Sequence, residues 1–344
     1  MDVTLVFPGL LDLDPSALRA AEARAPSLGR LLARASSPTF EVTGAVATLC
    51  ALLGIARARD WPIAPWLARG AGIDAQASYW LCADPVSFAV GQNDVRLGQL
   101  VCDLGADESA ALLSLLNQHF ANDGIRFFAR QPSRWLIGAS SLQDLETHPP
   151  DEVAGQPVLP FLPSGSDAPR WLRWQSEMQM LLFENEVNRQ REGAGRTPVN
   201  GVWLWGGGMF GIRHGASIAA LYADGGLPSE LALSTGVVVR PLQSFAALTS
   251  APSASPAAVW MNTFDGADTQ QLGSQLAAVD SDWMRPAADA LAAQTLRALD
   301  LIFTGRRKKL HFQLGRPSLM QRLRTRRSAG SLGAALGQYL ESQH

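Results

Sequence analysis

Residues 178–208, MQMLLFENEVNRQREGAGRTPVNGVWLWGGG, decide how the chain reads. They join a helix, a proline-bounded loop, an apolar strand and a glycine run in one short segment. On a helix, Asn185, Asn188 and Arg191 stand at i, i+3 and i+6, so two amides and a guanidinium share one face, while Met178, Leu181 and Leu182 supply an apolar one. The strand Val202-Trp203-Leu204-Trp205 then delivers three glycines to its carboxyl end, where ligands bind in open α/β sheets. The segment is expected to carry a site. The competing reading makes the glycines a tight turn and the Asn/Arg face a solvated surface or a loop cap.

Working outward, the helix of this segment is expected over 167–191, after a stretch at 149–169 too rich in proline and glycine for helix or strand. Before that, 79–90 and 95–101 alternate like paired strands around Gly91-Gln92-Asn93-Asp94. An amphipathic helix at 107–120 and short strands at 125–129 and 135–137 complete a ββαββ block. The chain opens α/β: residues 3–7 read as a buried strand ended by Pro8-Gly9. A helix at 15–35 is interrupted by Pro26, another at 43–53 ends at Gly54, and Trp61–Trp66 reads as a rigid aromatic loop. Beyond the glycine run, short strands are expected at 217–222, 236–240 and 258–261, and a long helix at 282–298. The domain expectation is 1–75 as the first part of an α/β core and 76–165 as an inserted α+β subdomain with its linker. Residues 166–305 would complete the core and 306–344 form a basic tail.

Composition sets modest bounds. A chain of 344 residues with 47% hydrophobic and 17% charged residues can bury a large core, and a net charge of −2 selects no polyanionic or polycationic partner. Lysine occurs only at Lys308 and Lys309, within a basic run from Arg306 and Arg307 to Arg316, Arg322, Arg324, Arg326 and Arg327. Without interleaved aromatics this run reads as a solvated helix, so nucleic acid is not expected as a partner. Cys50, Cys82 and Cys102 lie in apolar contexts without CxxC spacing and read as buried thiols of a reducing compartment. No stretch of about 18 apolar residues and no leader pattern is present, so the expected location is the cytoplasm, with no membrane contact.

The runs Asn185–Arg191 and Thr197-Pro198-Val199-Asn200, followed by a strand ending in glycines, resemble the archaeal-type cofactor-independent phosphoglycerate mutases. VFPGLLD at 6–12, Ala83-Asp84-Pro85-Val86 and NRQREGAGRTPVNGVWLWGGG together look like the RpfE-type bacterial regulatory proteins, over most of the chain. These resemblances imply an alkaline-phosphatase-like mixed sheet flanked by helices, with an inserted α+β subdomain. The mutase family further implies two metal ions and a serine or threonine nucleophile.

Here the chain departs from the family. A di-metal centre needs about six or seven Asp and His ligands, and the chain has five histidines, His119, His148, His214, His311 and His344. Phe7-Pro8-Gly9 stands where an early aspartate ligand is expected. Asn262–Asp268 looks like the family's ligand loop without its histidines, leaving Asp265 and Asp268 as weak metal candidates that read more readily as turn formers. Thr43 or Thr48 could occupy the nucleophile region, with no visible base to activate either. Gly206-x-Gly208-x-x-Gly211 matches a dinucleotide fingerprint, but Asp224 follows too soon for a full crossover helix; a G-x-S-x-G elbow is absent. The glycine run could instead offer backbone N–H groups to an anion, assisted by Arg213 and His214.

The candidate ligand-binding set is therefore Asn185, Asn188, Arg191, Asn200, Trp205, Gly206, Gly207, Gly208, Arg213 and His214. No cofactor is expected, the alternative being a divalent Mn or Mg ion. The expected function is regulatory or ligand-sensing, in a pseudoenzyme taking a small anionic or phosphorylated ligand or a regulatory protein partner. An active 2,3-bisphosphoglycerate-independent phosphoglycerate mutase or phosphohydrolase is the first alternative, a nucleic-acid-associated regulator the second.

Overall fold

The apolar run after Met1 forms β1 (Asp2–Phe7), with Val3, Leu5 and Phe7 turned into one core. The computed structural model describes residues 1–73, 78–91, 94–141, 143–211, 213–242, 244–250, 255–264 and 270–315. After β1 come α1 (Pro15–Ala21) and α2 (Pro26–Leu32), two helices where one interrupted helix was expected. Pro26 lacks the N–H that would continue a helix, yet fits the first turn of the next one. Asp14 caps α1 by accepting the Ala17 N–H at 2.9 Å. The short strand β2 (Thr39–Glu41) and α3 (Ala45–Leu53) follow.

Gly54–Gly215 forms a compact unit of its own. It opens with α4 (Ile63–Gly70), where the sequence suggested a loop; Pro62 and Pro65 fall at the cap and first turn, where a missing N–H costs nothing. Then come β3 (Tyr79–Val90), β4 (Val95–Leu100), α5 (Ala106–His119), β5 (Ile125–Gln131) and β6 (Arg134–Ala139). The proline-rich crossing contains one helical turn, α6 (Pro150–Val153). The single helix expected over 167–191 is two, α7 (Ala168–Phe183) and α8 (Glu186–Gly193), divided where Asn185 turns extended and caps the second. β7 (Gly201–Gly208) closes the unit. The twelve residues of β3 pair β6 and β4 on one edge and β7 on the other, all antiparallel. One sheet face, carrying Leu81, Ala83, Phe127, Ile137, Val202 and Leu204, packs on α5 and α7 through Leu112, Leu116, Trp171 and Met178. Because β7 belongs to this sheet, the unit takes in more chain than the 76–165 expected from sequence.

The remaining chain from Ala216 joins Met1–Leu53 in the larger unit. Its elements are β8 (Ala220–Tyr222), α9 (Gly226–Ser234), β9 (Val238–Arg240), α10 (Phe245–Ser250), β10 (Ala257–Trp260), α11 (Leu272–Val279), α12 (Arg285–Ala292), β11 (Ala298–Gly305) and β12 (Lys308–Gly315). They make a seven-stranded mixed sheet in the order β2-β12-β11-β1-β10-β8-β9. The five strands from β11 to β9 run parallel, while β12 and β2 are antiparallel additions at one edge. Leu5, Phe7, Val259, Leu301 and Phe303 on one face pack against Leu18, Leu28, Leu276 and Met284; fully burying such a side chain is worth about 1.5–3 kcal/mol. This is the mixed α/β sheet flanked by helices that the sequence led us to expect.

Two expectations are corrected. The basic tail does not begin at Arg306: Arg306 and Arg307 form the turn of a β11–β12 hairpin, and Leu310, Phe312 and Leu314 are buried in alternation with His311 and Gln313. Cys50 and Cys82 are buried, but Cys102 lies just past β4 and is exposed. No helix among the described residues is long and apolar enough to cross a membrane.

Candidate functional site

The Asn/Arg face of the 185–208 segment turns inward. Asn185 spends its carbonyl oxygen as the cap of α8, accepting the Val187 N–H at 2.8 Å. Asn188 is buried; its amide donates to the Leu182 and Val199 carbonyls at 2.6 and 2.7 Å and accepts the Val199 N–H at 2.8 Å. Arg191 is 0% exposed. Its Nε donates to the Thr197 carbonyl at 2.8 Å, and its terminal nitrogens pair with Glu108 at 2.9 Å and Asp103 at 2.6 Å. Asn200 mimics a strand residue, accepting from the Phe88 N–H and donating to the Phe88 carbonyl. An anion could reach Arg191 only by displacing two carboxylates. These side chains are a clasp that ties α8 and the 194–200 loop to α5 and β3, and that is a correction to their reading as a ligand face.

The glycine run is likewise internal. Between the register pairs Cys82↔Trp205 and Trp80↔Gly208, Leu81 alone stands opposite Gly206 and Gly207, so β7 carries a bulge. Gly206 takes the left-handed conformation this needs, at φ +65°. The two freed N–H groups do not await an anion: Gly206 donates to Thr147 Oγ1 at 3.0 Å, and Gly207 to Asp60 Oδ2 at 3.2 Å. Asp60 Oδ2 also accepts from the N–H and hydroxyl of Thr147, and its Oδ1 from the Trp61 N–H at 2.7 Å. A Cβ on Gly208 would lie 2.5 Å from that of Pro62. Trp205 donates its indole N–H to Asp84 at 2.8 Å. Arg213 is half-buried and bridges to Ile55, while His214 is exposed and its backbone N–H bonds the Gly54 carbonyl at 3.0 Å.

Asp60 and Asp84 are buried acids that sequence reasoning passed over as site groups. Burial pushes both carboxyls above the usual range; for Asp84 the Arg134 charge and the Trp205 N–H pull partly back. A carboxyl raised in the fold holds its proton more tightly there than in the unfolded chain. Stability therefore falls as pH rises from about 4, the unfolded value, through the higher folded one. Asp84→Asn cannot ionise and is expected to lack this loss, so wild type should lose stability relative to the variant across that window in urea melts from pH 4 to 8. A difference that stays constant with pH would show that Asp84 titrates as an ordinary carboxyl.

In the larger unit the parallel strands end at Pro8-Gly9, Tyr222-Ala223-Asp224, Arg240-Pro241, Met261-Asn262 and Thr304-Gly305. Among the described carboxylates on this side, Asp12 accepts the Arg306 N–H at 2.9 Å, Glu41 pairs with Lys309 at 3.1 Å, and Asp224 accepts the Leu242 N–H at 3.0 Å. Asp14 caps α1, and His311 bonds Asp300 at 2.7 Å. The Thr48 hydroxyl donates to the Gly44 carbonyl at 3.0 Å within its own helix. Among the described residues no three His, Cys, Asp or Glu side chains come together to hold a metal ion. The described residues alone do not supply the donors of a di-metal centre. Asp265 and Asp268 lie outside the described residues.

No family model matches the chain. Over 156 residues, 40% of the chain, it is 32% identical to 2,3-bisphosphoglycerate-independent phosphoglycerate mutase 2 of Methanothermobacter thermautotrophicus, covering 38% of that protein. It is 28% identical over 134 residues, 37% of the chain, to the 2,3-bisphosphoglycerate-independent phosphoglycerate mutase of Methanosarcina mazei, and covers 34% of it. The chain thus matches about a third of the length of these curated relatives. Among solved structures it resembles a Pyrococcus horikoshii protein with a TM-score of 0.50 at 10% identity, over 92% of this chain and 88% of that one. That likeness shows a shared fold, and the similarity to the 2,3-bisphosphoglycerate-independent phosphoglycerate mutases is distant and spans about two fifths of the chain.

Proposed function

We propose that this chain is a regulatory, ligand-sensing relative of the metal-dependent phosphoglycerate mutases, in which the di-metal chemistry has been given up. The observation that carries the reading is the state of the strand ends. Asp12, Glu41 and Asp224 are each committed to a backbone N–H or a lysine, and no ligand cluster forms among the described residues. What counts against a cation is convergence: these three carboxylates do not come together with one another or with a histidine among the described residues. The resemblance to the RpfE-type regulatory proteins supports the same reading, and a small phosphorylated or otherwise anionic ligand in the cytoplasm fits it.

A working mutase is the second reading, favoured by the names of the relatives. It requires Asp265 and Asp268 to supply ligands that the described residues do not. Metal content and phosphoglycerate mutase turnover of the purified protein, with and without added Mn²⁺, Mg²⁺ or Zn²⁺, separate the two. Sub-stoichiometric metal and no turnover are the expected results. Stoichiometric metal with turnover abolished by Asp265→Asn would overturn the proposal.

A further inference from the structure

Tyr222 and Arg240 are the last residues of β8 and β9, and the parallel register sets them directly opposite each other. Residues paired in this way project from the same face of a sheet, about 4.8 Å apart. Tyr222 is 6% exposed, its ring buried in the core cluster with Phe245 and Leu248, and its hydroxyl has no hydrogen-bond partner. Arg240 is half-buried; its Nε is sealed from solvent and also has no partner. Buried donors in native proteins are almost always paired, so two orphans side by side call for a common acceptor. The fully buried Arg191, by contrast, has such acceptors in Asp103 and Glu108.

The place and the chemistry agree. Tyr222 and Arg240 stand at the carboxyl ends of parallel strands, the side of an α/β sheet on which ligands bind. Asp224, the nearby acid, spends a carboxylate oxygen on the Leu242 N–H. A guanidinium fork and a phenol hydroxyl are both donors, and together they suit an oxyanion.

We infer that Tyr222 and Arg240 form a binding site for a phosphate-class oxyanion, free phosphate or a phosphate monoester, at the carboxyl end of β8 and β9. The inference rests on the ligand-sensing reading above and gives that reading its site, away from the 185–208 segment. Arg240 supplies charge and bidentate geometry; the Tyr222 hydroxyl donates one further bond and fixes the anion's depth.

Calorimetric titration of the full chain with inorganic phosphate and with 3-phosphoglycerate tests it, using wild type, Arg240→Ala, Arg240→Lys and Tyr222→Phe. Saturable binding to wild type, weakened at least about tenfold by Arg240→Ala and severalfold by Tyr222→Phe, is the expected result. Arg240→Lys should retain part of the affinity, since it keeps the charge and loses the fork. Tighter binding of 3-phosphoglycerate than of phosphate would identify a monoester as the ligand, and equal binding the free ion. Tyr222→Phe guards against a folding artefact because it removes only an unpartnered hydroxyl. Wild-type binding unchanged by all three variants would overturn the site while leaving the ligand-sensing reading in place. Absence of binding to wild type would overturn the site and remove the phosphate ligand from that reading.

Discussion

Arg191→Ala is expected to destabilise the smaller unit by about 3 kcal/mol, measured as a lowered midpoint in urea unfolding. Removing one partner of a buried ion pair costs about 3–5 kcal/mol because the remaining groups are stranded. Here the groups that lose a partner are the Thr197 carbonyl and the carboxylates of Asp103 and Glu108, whose side chains are 56% and 19% exposed, and Glu108 keeps Arg196 at 2.6 Å. Water can reach Asp103 and part of Glu108, which places the cost at the lower end of that range. Arg191→Lys should recover little, since one ammonium cannot serve a carbonyl and two carboxylates held by a planar fork. A variant that unfolds at the wild-type midpoint but no longer binds anions would instead return the ligand site to α8.

Gly206→Ala should cost a comparable amount, again about 3 kcal/mol. Left-handed backbone at a non-glycine residue accounts for about 1–2 kcal/mol. The new methyl would also stand 2.9 Å from Cβ of Ile63, a β-branched side chain at the start of α4 with little freedom to move. The bulge would be pushed away from α4, and the hydrogen bonds from Gly206 and Gly207 to Thr147 and Asp60 would be disturbed with it. Gly207→Ala meets Leu81 at 2.8 Å and the Tyr79 hydroxyl more closely still. Equal unfolding midpoints for wild type and Gly206→Ala would show that the run tolerates side chains, as a solvent-facing turn would.

The sequence made the layers legible and the site illegible, for different reasons. Period-two alternation and turn residues located β3 and β4, and an amphipathic stretch located α5, because burial of one face writes itself along the chain. Asn188 and Arg191 do share a helix face, with Asn185 extended as the cap before it, but spacing tells which residues share a face and not what covers it. The cover comes from Asp103, Glu108 and the loop at 194–200. The glycine run was read as a ligand cradle because a bulge exists only in relation to its partner strand, and nothing near residue 206 names Leu81 as that partner. In β12 the alternation of Leu310, Phe312 and Leu314 was present in the sequence, but the neighbouring Lys and Arg residues suggested a solvated tail. Tyr222 and Arg240, eighteen positions apart, become a pair only through parallel register.

The hydrogen bond from the His214 N–H to the Gly54 carbonyl, at 3.0 Å, closes the smaller unit on itself where its chain enters and leaves. A segment whose ends are already neighbours can be exchanged for a short turn with little added loop entropy, since that cost grows only slowly with the length of chain enclosed. Gly54–Gly215 is in that sense a cassette. Insertions of this geometry can be gained, lost or swapped as whole pieces while the host sheet keeps its strand order, which makes this stretch the natural joint along which relatives of the chain would diverge.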